Sequence, residues 1–259
     1  MNRKKLAGLL VCLAAAAVGI GYLTYHYIDL YRKSAIYDTL RQTVESKTGG
    51  VQSAPPSGTG PSVSAVSSVP IDFNALQKKN RDIYAWIKIP GTEVDYPIVQ
   101  SATDRAYYLN HTVEGQAGYP GSIYTENCNA RDFSDFNTIL YGHDMRNGSM
   151  FGGLRNYREA GYLDKHRDVL IYTPKEKRVY RIFAAVVYSD AYLPGKFDFS
   201  AESGRQAFLN SIFDNRDMNS QFRKDVPVEN SSRILTLSTC IGSQANNRYL
   251  IEAVYVGNQ

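Results

Sequence analysis

Residues 234–240 read Ile234-Leu235-Thr236-Leu237-Ser238-Thr239-Cys240, and after the polar stretch 241–247 the chain resumes as Arg248-Tyr249-Leu250-Ile251-Glu252-Ala253-Val254-Tyr255-Val256. β-Branched and apolar residues dominate both runs and turn formers fill the gap, so the pattern predicts two antiparallel strands joined by a short loop. Period-two alternation puts Thr236, Ser238 and Cys240 on one face, and Arg248, Leu250 and Glu252 on one face of the partner. If both faces lie on the same side of the sheet, Cys240 and Arg248 are cross-strand neighbours roughly 5 Å apart at Cβ. A guanidinium that keeps its proton, set beside a thiol, is a setting for thiolate chemistry. The plainer reading, an inert cysteine ending a buried strand, stands beside it.

Working outward, Asn137-Thr138-Ile139-Leu140-Tyr141 is a short apolar strand followed at once by Gly142-His143. A histidine just past a strand end is handed to a cleft by a rigid scaffold, and imidazole moves protons near neutral pH. His111, in a polar loop, is a second candidate base. Strands are also expected at Ala85–Ile89, Val94–Val99, Ser122–Thr125, Val169–Thr173 and Val179–Tyr188. Asp72 is placed to cap a short helix carrying Phe73 and Leu76, with Ile83 as its outermost apolar position. Trp86 reads as core packing. Ser200 is expected to open a helix with Phe208, Leu209, Ile212 and Phe213 along one face.

The chain has 259 residues and a net charge of +4, part of it in Arg3, Lys4 and Lys5. No stripe of Lys and Arg interleaves with aromatic residues, so nothing marks a nucleic-acid partner. From Leu6 to Leu23 about 18 residues pass without a charge, enough for a helix of roughly 27 Å that spans a bilayer. The basic residues before it place the N-terminus in the cytoplasm, and Tyr22, Tyr25 and Tyr27 suit the far interface. A cleaved secretory signal, with the Ala14 to Ala17 run offering small residues, is the competing reading, and either one exports the remainder of the chain. Ser46 to Pro70, rich in Ser, Gly and Pro, reads as a flexible tether whose ends lie on the order of 25 to 30 Å apart. The division is therefore a tip and transmembrane anchor over 1–33, a juxtamembrane segment and linker over 34–70, and an extracellular catalytic domain over 71–259.

There is no Gly-rich phosphate loop, no HExxH and no CxxC, and the four histidines show no metal-ligand spacing, so neither a cofactor nor a metal is implied. Cys128 and Cys240 in an exported domain could instead pair as a disulfide, which would make Cys240 structural.

Three features together resemble the sortases. Thr236-Leu237-Ser238-Thr239-Cys240 matches their TLxTC signature, Tyr141-Gly142-His143 is similar to the segment carrying their catalytic histidine, and Asn247-Arg248-Tyr249 matches their arginine. The stretches Tyr108-Leu109-Asn110-His111 and Ala117-Gly118-Tyr119-Pro120-Gly121-Ser122-Ile123 look like class B. The resemblance covers residues 71 to the C-terminus. It implies a mainly β fold, a closed mixed barrel of eight strands with peripheral helices, including a long helix before the cysteine strand over Ser200–Lys224.

The resemblance also implies roles. Cys240 is expected as nucleophile, His143 as proton donor and acceptor, and Arg248 as oxyanion stabiliser; Ser238, from its place on the Cys240 strand face, is expected as a substrate contact, with a plain strand role as the alternative. The expected substrates are surface proteins with a C-terminal sorting motif, cut after threonine and passed to an amine of a Gram-positive cell-wall precursor. A pilin lysine as acceptor, a plain cysteine protease, and a non-catalytic surface module with a Cys128–Cys240 disulfide are the alternatives.

Overall fold

The structure, a computed structural model, describes residues 3–48 and 69–258. Among the described residues nine strands occur in chain order: β1 (Ile83–Lys88), β2 (Asp95–Val99), β3 (Ile123–Thr125), β4 (Asn137–Tyr141), β5 (Asp168–Tyr172), β6 (Lys177–Ser189), β7 (Gln221–Phe222), β8 (Ile234–Ile241) and β9 (Gln244–Asn258). They pair in the order β5-β1-β2-β3-β4-β8-β9-β6, and β6 returns to β5, so eight strands close a barrel. The two-residue β7 sits on β6 outside the ring. The β2–β3 and β4–β8 pairings are parallel and the remainder antiparallel, which makes the barrel mixed. Closure removes the exposed edges that an open sheet of these strands would carry.

Alternation along β8 and β9 sorts their side chains between two cores. Leu235, Leu237, Tyr249, Ile251 and Ala253 join the main cluster with Trp86 and Ile98. Ile234, Leu250 and Val254 belong to a second cluster, where Phe208, Leu209 and Ile212 of the helix α5 (Glu202–Phe213) cover the sheet. The face that ends in Cys240 is therefore the one covered by this layer. Short helices α2 (Phe73–Lys79), α3 (Tyr162–Lys165) and α4 (Leu193–Lys196) lie outside the barrel strands in sequence. Asp72 caps α2 as expected, accepting from the Ala75 N–H at 3.0 Å. Ile83 belongs to β1 rather than to that helix.

The helix before the cysteine strand is shorter than Ser200–Lys224. It begins at Glu202, because Ser200 is engaged with the Asp198 carboxylate at 2.6 Å, and it stops at Phe213. Beyond that point Asn215 donates to the Val187 carbonyl at 2.6 Å and the Asp214–Ser220 stretch turns, delivering β7 to β6. Side chains of Asn and Asp that bond nearby backbone offer an alternative to further helical turns.

At the N-terminus α1 runs unbroken from Arg3 to Thr48. The stretch Leu10–Val44 contains a window of mean hydropathy 1.5 and is long and apolar enough to cross a membrane. The apolar side chains of its first half, among them Leu10, Val18 and Leu23, face outward uncovered. The helix does not stop at residue 33. Lys33, Tyr37 and Leu40 are buried against the barrel, Tyr37 stacking edge-on with Tyr96 at 5.6 Å. Most of the expected tether, residues 49–68, lies outside the described residues.

One buried polar group stands out on the covered face. Glu252 is fully buried opposite Thr236, whose hydroxyl lies 2.8 Å from the Glu252 carboxyl and 2.9 Å from Asn137 Oδ1. One hydroxyl proton cannot serve both oxygens, so a protonated Glu252 donating to Thr236, which in turn donates to Asn137, satisfies the chain. Burial pushes the Glu252 carboxyl from 4.5 up to about 8, against the hydrogen bond that the Thr236 hydroxyl gives to the ionised form.

These contacts have two measurable consequences. The native protein holds a Glu252 proton that the unfolded chain releases above about pH 4.5, so this contribution is lost as pH climbs toward 8. Urea midpoints are expected to fall between pH 5 and pH 8, and Glu252→Gln is expected to flatten that slope. A fragment starting at residue 71 gives up the buried Tyr37 and Leu40 and is expected to melt on the order of 10 °C below one starting at residue 29. Equal melting temperatures would show that the helix adds nothing to the barrel.

Candidate active site

The hairpin β8–β9 supplies two of the site's side chains. Cys240 pairs directly with Arg248, next to Ser238–Leu250 and Thr236–Glu252, so the cross-strand neighbourhood expected from alternation is present. The strands do not separate after Cys240. Ile241 pairs with Gln244 around a Gly242-Ser243 turn, and a bulge takes up the extra residues of β9 between Gln244 and Arg248. Bulges bend a strand and re-aim a side chain. Here the Arg248 guanidinium is tied back to the bulge, donating to the carbonyls of Ala245 at 3.1 Å and Asn247 at 3.0 Å. Cys240 is exposed, whereas Ser238 beside it is buried.

His143 arrives from the neighbouring strand. β4 lies parallel to β8 with Tyr141 opposite Ser238, and the pairing continues as Gly142 N–H donates to the Ser238 carbonyl at 3.2 Å. Thr239 Oγ1 donates to the Gly142 carbonyl at 2.8 Å. A Cβ at residue 142 would come within 2.5 Å of Ile123 Cδ1 and 2.7 Å of Phe151 Cδ2, so glycine is required for the chain to turn out of the barrel there. The imidazole Nε2 is 2.7 Å from the Leu109 carbonyl. A carbonyl only accepts, so Nε2 carries the hydrogen and Nδ1 is the nitrogen left to exchange a proton. Burial pushes the His143 pKa below 6.5, and the Leu109 bond works against that shift.

The Leu109 carbonyl is itself held. Gly121, at φ +64°, packs against it, and a Cβ there would collide with that oxygen and lie 3.2 Å from His143 Cδ2. Tyr37 of α1 donates to the Gly121 carbonyl and accepts from the Val113 N–H at 3.2 Å, while Lys33 donates to the Ala117 carbonyl at 2.6 Å. The stem helix thus grips the loop that orients the histidine.

These pieces meet in a cleft of about 240 Å³ whose lining includes His143, Ser238, Cys240 and Arg248. Tyr124, Tyr141, Leu193 and Leu250 give it apolar walls, as a peptide-binding groove requires. All four expected site residues are therefore brought together. His111 is not among the residues lining this cleft. It stacks on Tyr107 at 3.9 Å and bonds that residue's carbonyl at 2.8 Å through Nδ1. All three cysteines are free, so no Cys128–Cys240 disulfide forms, and burial pushes the Cys128 thiol up. Among the described residues no group of three or more His, Cys, Asp or Glu side chains could hold a metal ion.

Sequence reasoning missed the far wall. Glu126, buried, accepts from the Tyr192 hydroxyl at 2.6 Å, and the Arg105 guanidinium lies 5.0 Å over the Tyr192 ring. Glu126 comes after β3 and Tyr192 after β6, and no local pattern joins them. Leu109 belongs to the Tyr108–His111 stretch that resembles class B, but its part is played by a carbonyl, which every residue has.

A thiol and a guanidinium opposed across a hairpin, with an imidazole from the adjacent strand, are the groups that cysteine acyl transfer uses, and here they share one cleft on a closed barrel. The sequence profile of the Sortase domain matches residues 87–256. The chain is 34% identical over 169 residues to Sortase B of Listeria monocytogenes, covering 65% of this chain and 67% of that protein. It is likewise 34% identical over 170 residues to Sortase B of Staphylococcus aureus, with the same coverage. A Staphylococcus aureus sortase B–substrate complex superposes with a TM-score of 0.71 at 27% identity, covering 88% of this chain and 98% of that one. Clostridium perfringens sortase B gives 0.65 at 26% identity, covering 72% and 100%. The chain belongs to the sortase family, and within it to class B, the cysteine transpeptidases that anchor proteins to the cell wall.

The His143 environment makes a direct prediction. In an NMR pH titration its imidazole midpoint is expected below 6.5, with Nε2 as the protonated nitrogen of the neutral ring. A midpoint above 6.5 would mean that a charge, not burial, governs the ring.

Proposed function

We propose that Cys240, passing its thiol proton to His143 Nδ1, attacks the carbonyl carbon of a Thr–Gly or Thr–Asn bond in a C-terminal sorting signal and forms a thioester to the threonine. The observation that carries this reading is the opposition of Cys240 and Arg248 across the hairpin, in one cleft with His143. As the C–S bond forms, the carbonyl oxygen becomes an oxyanion, which the Arg248 guanidinium stabilises with a charge it cannot lose. When the C–N bond breaks, His143 gives a proton to the departing amine. An acceptor amine then attacks the thioester, passes a proton back to His143, and expels the Cys240 thiolate as the new amide forms.

Burial of His143 serves both halves of this cycle. A ring with a depressed pKa gives up its proton readily in the first half and is ready to take one back in the second. The buried Ser238, between Thr236 and Cys240 on the same strand face, contacts the donor peptide. The acceptor is an amine of a cell-wall precursor. The apolar stretch of α1 spans the membrane with Arg3, Lys4 and Lys5 on the cytoplasmic side, so the barrel works outside the cell.

Mass spectrometry of the protein incubated with peptides carrying Thr–Gly or Thr–Asn bonds tests the reading. An acyl adduct on Cys240 and an amine-linked product are expected. Cys240→Ala is expected to leave the fold intact and abolish cleavage, and Arg248→Lys to slow it by at least about tenfold, since a lysine keeps the charge and loses the fork. Undiminished cleavage by Cys240→Ala would place the nucleophile elsewhere.

A further inference from the structure

Cys240 borders two clefts. The first is the donor cleft with His143 and Arg248. The second, of about 290 Å³, opens on the other side of the β8–β9 turn, sharing Thr239 and Cys240 with the first and adding Tyr249 and the turn residues Gly242 and Ser243. Its character is set by charge, because Arg146, Arg155 and Arg158 face a single carboxylate, Asp144.

The three arginines are not equivalent. Arg155 is spent on the fold, pairing with Asp144 at 2.7 Å and donating to the carbonyls of Gly152 and Met145. Among the described residues Arg146 and Arg158 make no ion pair. Arg146 is exposed. Arg158 lies with its guanidinium 4.9 Å over the Tyr249 ring, and its Nε is buried with no hydrogen-bond partner. A buried donor without a partner carries a desolvation cost that a bound acceptor relieves. Two guanidinium groups with free donors fit a carboxylate or phosphate in a way that two ammonium groups would not.

We propose that this arginine cleft binds the incoming acceptor, an amine that also carries a carboxylate or phosphate, with Arg146 and Arg158 holding the anionic group while the amine reaches the thioester on Cys240. The inference rests on the proposed acyl transfer and names the class of its second substrate. With the donor's acyl chain in the His143 cleft, the arginine cleft is a second cleft that Cys240 lines. The anion contact selects acceptors by charge and orders them before attack.

The test compares acceptors that differ only in the anionic group, with a Thr–Gly peptide as donor. Triglycine is set against triglycinamide for the carboxylate, and phosphoethanolamine against ethanolamine for the phosphate. For at least one pair, kcat/KM for the anionic acceptor is expected to exceed that of its neutral twin by about tenfold, the scale of one charge-assisted contact. The pair that shows the preference identifies the anion. In Arg146→Gln/Arg158→Gln the ratio is expected to fall to about one, and in the corresponding double lysine variant to keep part of its excess. If the double glutamine variant does not fold, the exposed Arg146→Gln alone is expected to reduce the ratio about threefold.

A ratio of one for both pairs in the unaltered protein, or a ratio unchanged by the substitutions, overturns the proposal. Absence of any acyl adduct on Cys240 would be the failure of the transpeptidation reading instead. The cleft is then decided by calorimetric titration of the full-length Cys240→Ala protein with the same four amines. Arginine-dependent preference for an anionic amine upholds it, and equal or undetectable binding refutes it.

Discussion

The register of β8 against β9 is the constraint on which the site depends. Pairing Cys240 with Arg248 also pairs Ser238 with Leu250 and Thr236 with Glu252, so one alignment sets the reactive end, the buried middle and the polar base of the same face. A slip of one residue would turn all of them to the opposite side of the barrel wall, exchanging Cys240 for Thr239 and Arg248 for Tyr249. The register holds because both faces are covered, by the barrel core on one side and by the α5 layer on the other. β8 also pairs in parallel with β4, and that contact brings His143 alongside. Cys240, Arg248 and His143 therefore come from, or directly follow, three adjacent strands whose spacing is fixed by main-chain hydrogen bonds.

Around this rigid centre the second support is indirect. The Nε2 hydrogen of His143 is received by a main-chain carbonyl on the loop before β3, and that loop is pinned by Lys33 and Tyr37 from the far end of α1. The element that is apolar enough to enter a membrane in its first half thus continues, without a break, into the residues that steady the catalytic loop. The apolar run and the side chains that hold the loop before β3 thus lie on one continuous helix.

Electrostatics vary sharply over a short distance. Glu252, farther down the strand face that ends in the Cys240–Arg248 pair, is buried, and its raised pKa favours the neutral form, while the half-buried Arg248 guanidinium donates to two main-chain carbonyls. Beyond the turn, Arg146, Arg155 and Arg158 line a second cleft against one carboxylate, Asp144, whereas the His143 cleft carries Arg248 with Glu126 and Asp190. Cys240 lines both.

Much of this is legible in the amino-acid order. The strands from residue 85 onward, the Cys240–Arg248 neighbourhood and the place of His143 after β4 all derive from period-two alternation and strand-end position, which are local properties. The apolar run in α1 is likewise a matter of composition. Other features require the closed barrel. α5 is shorter than its sequence pattern predicts because Asn215 bonds the Val187 carbonyl, a partner 28 residues away in sequence. The unbroken stem through Tyr37, the Glu126–Tyr192 wall and the arginine cleft join segments distant in the chain, and no periodicity records such a meeting. By itself the sequence determined which residues form strands, which face each side chain takes and where the reactive groups end a strand, because steric alternation acts between neighbours. Only the tertiary structure decided what lies across from those strand ends, because closure of the barrel sets which loops share a rim.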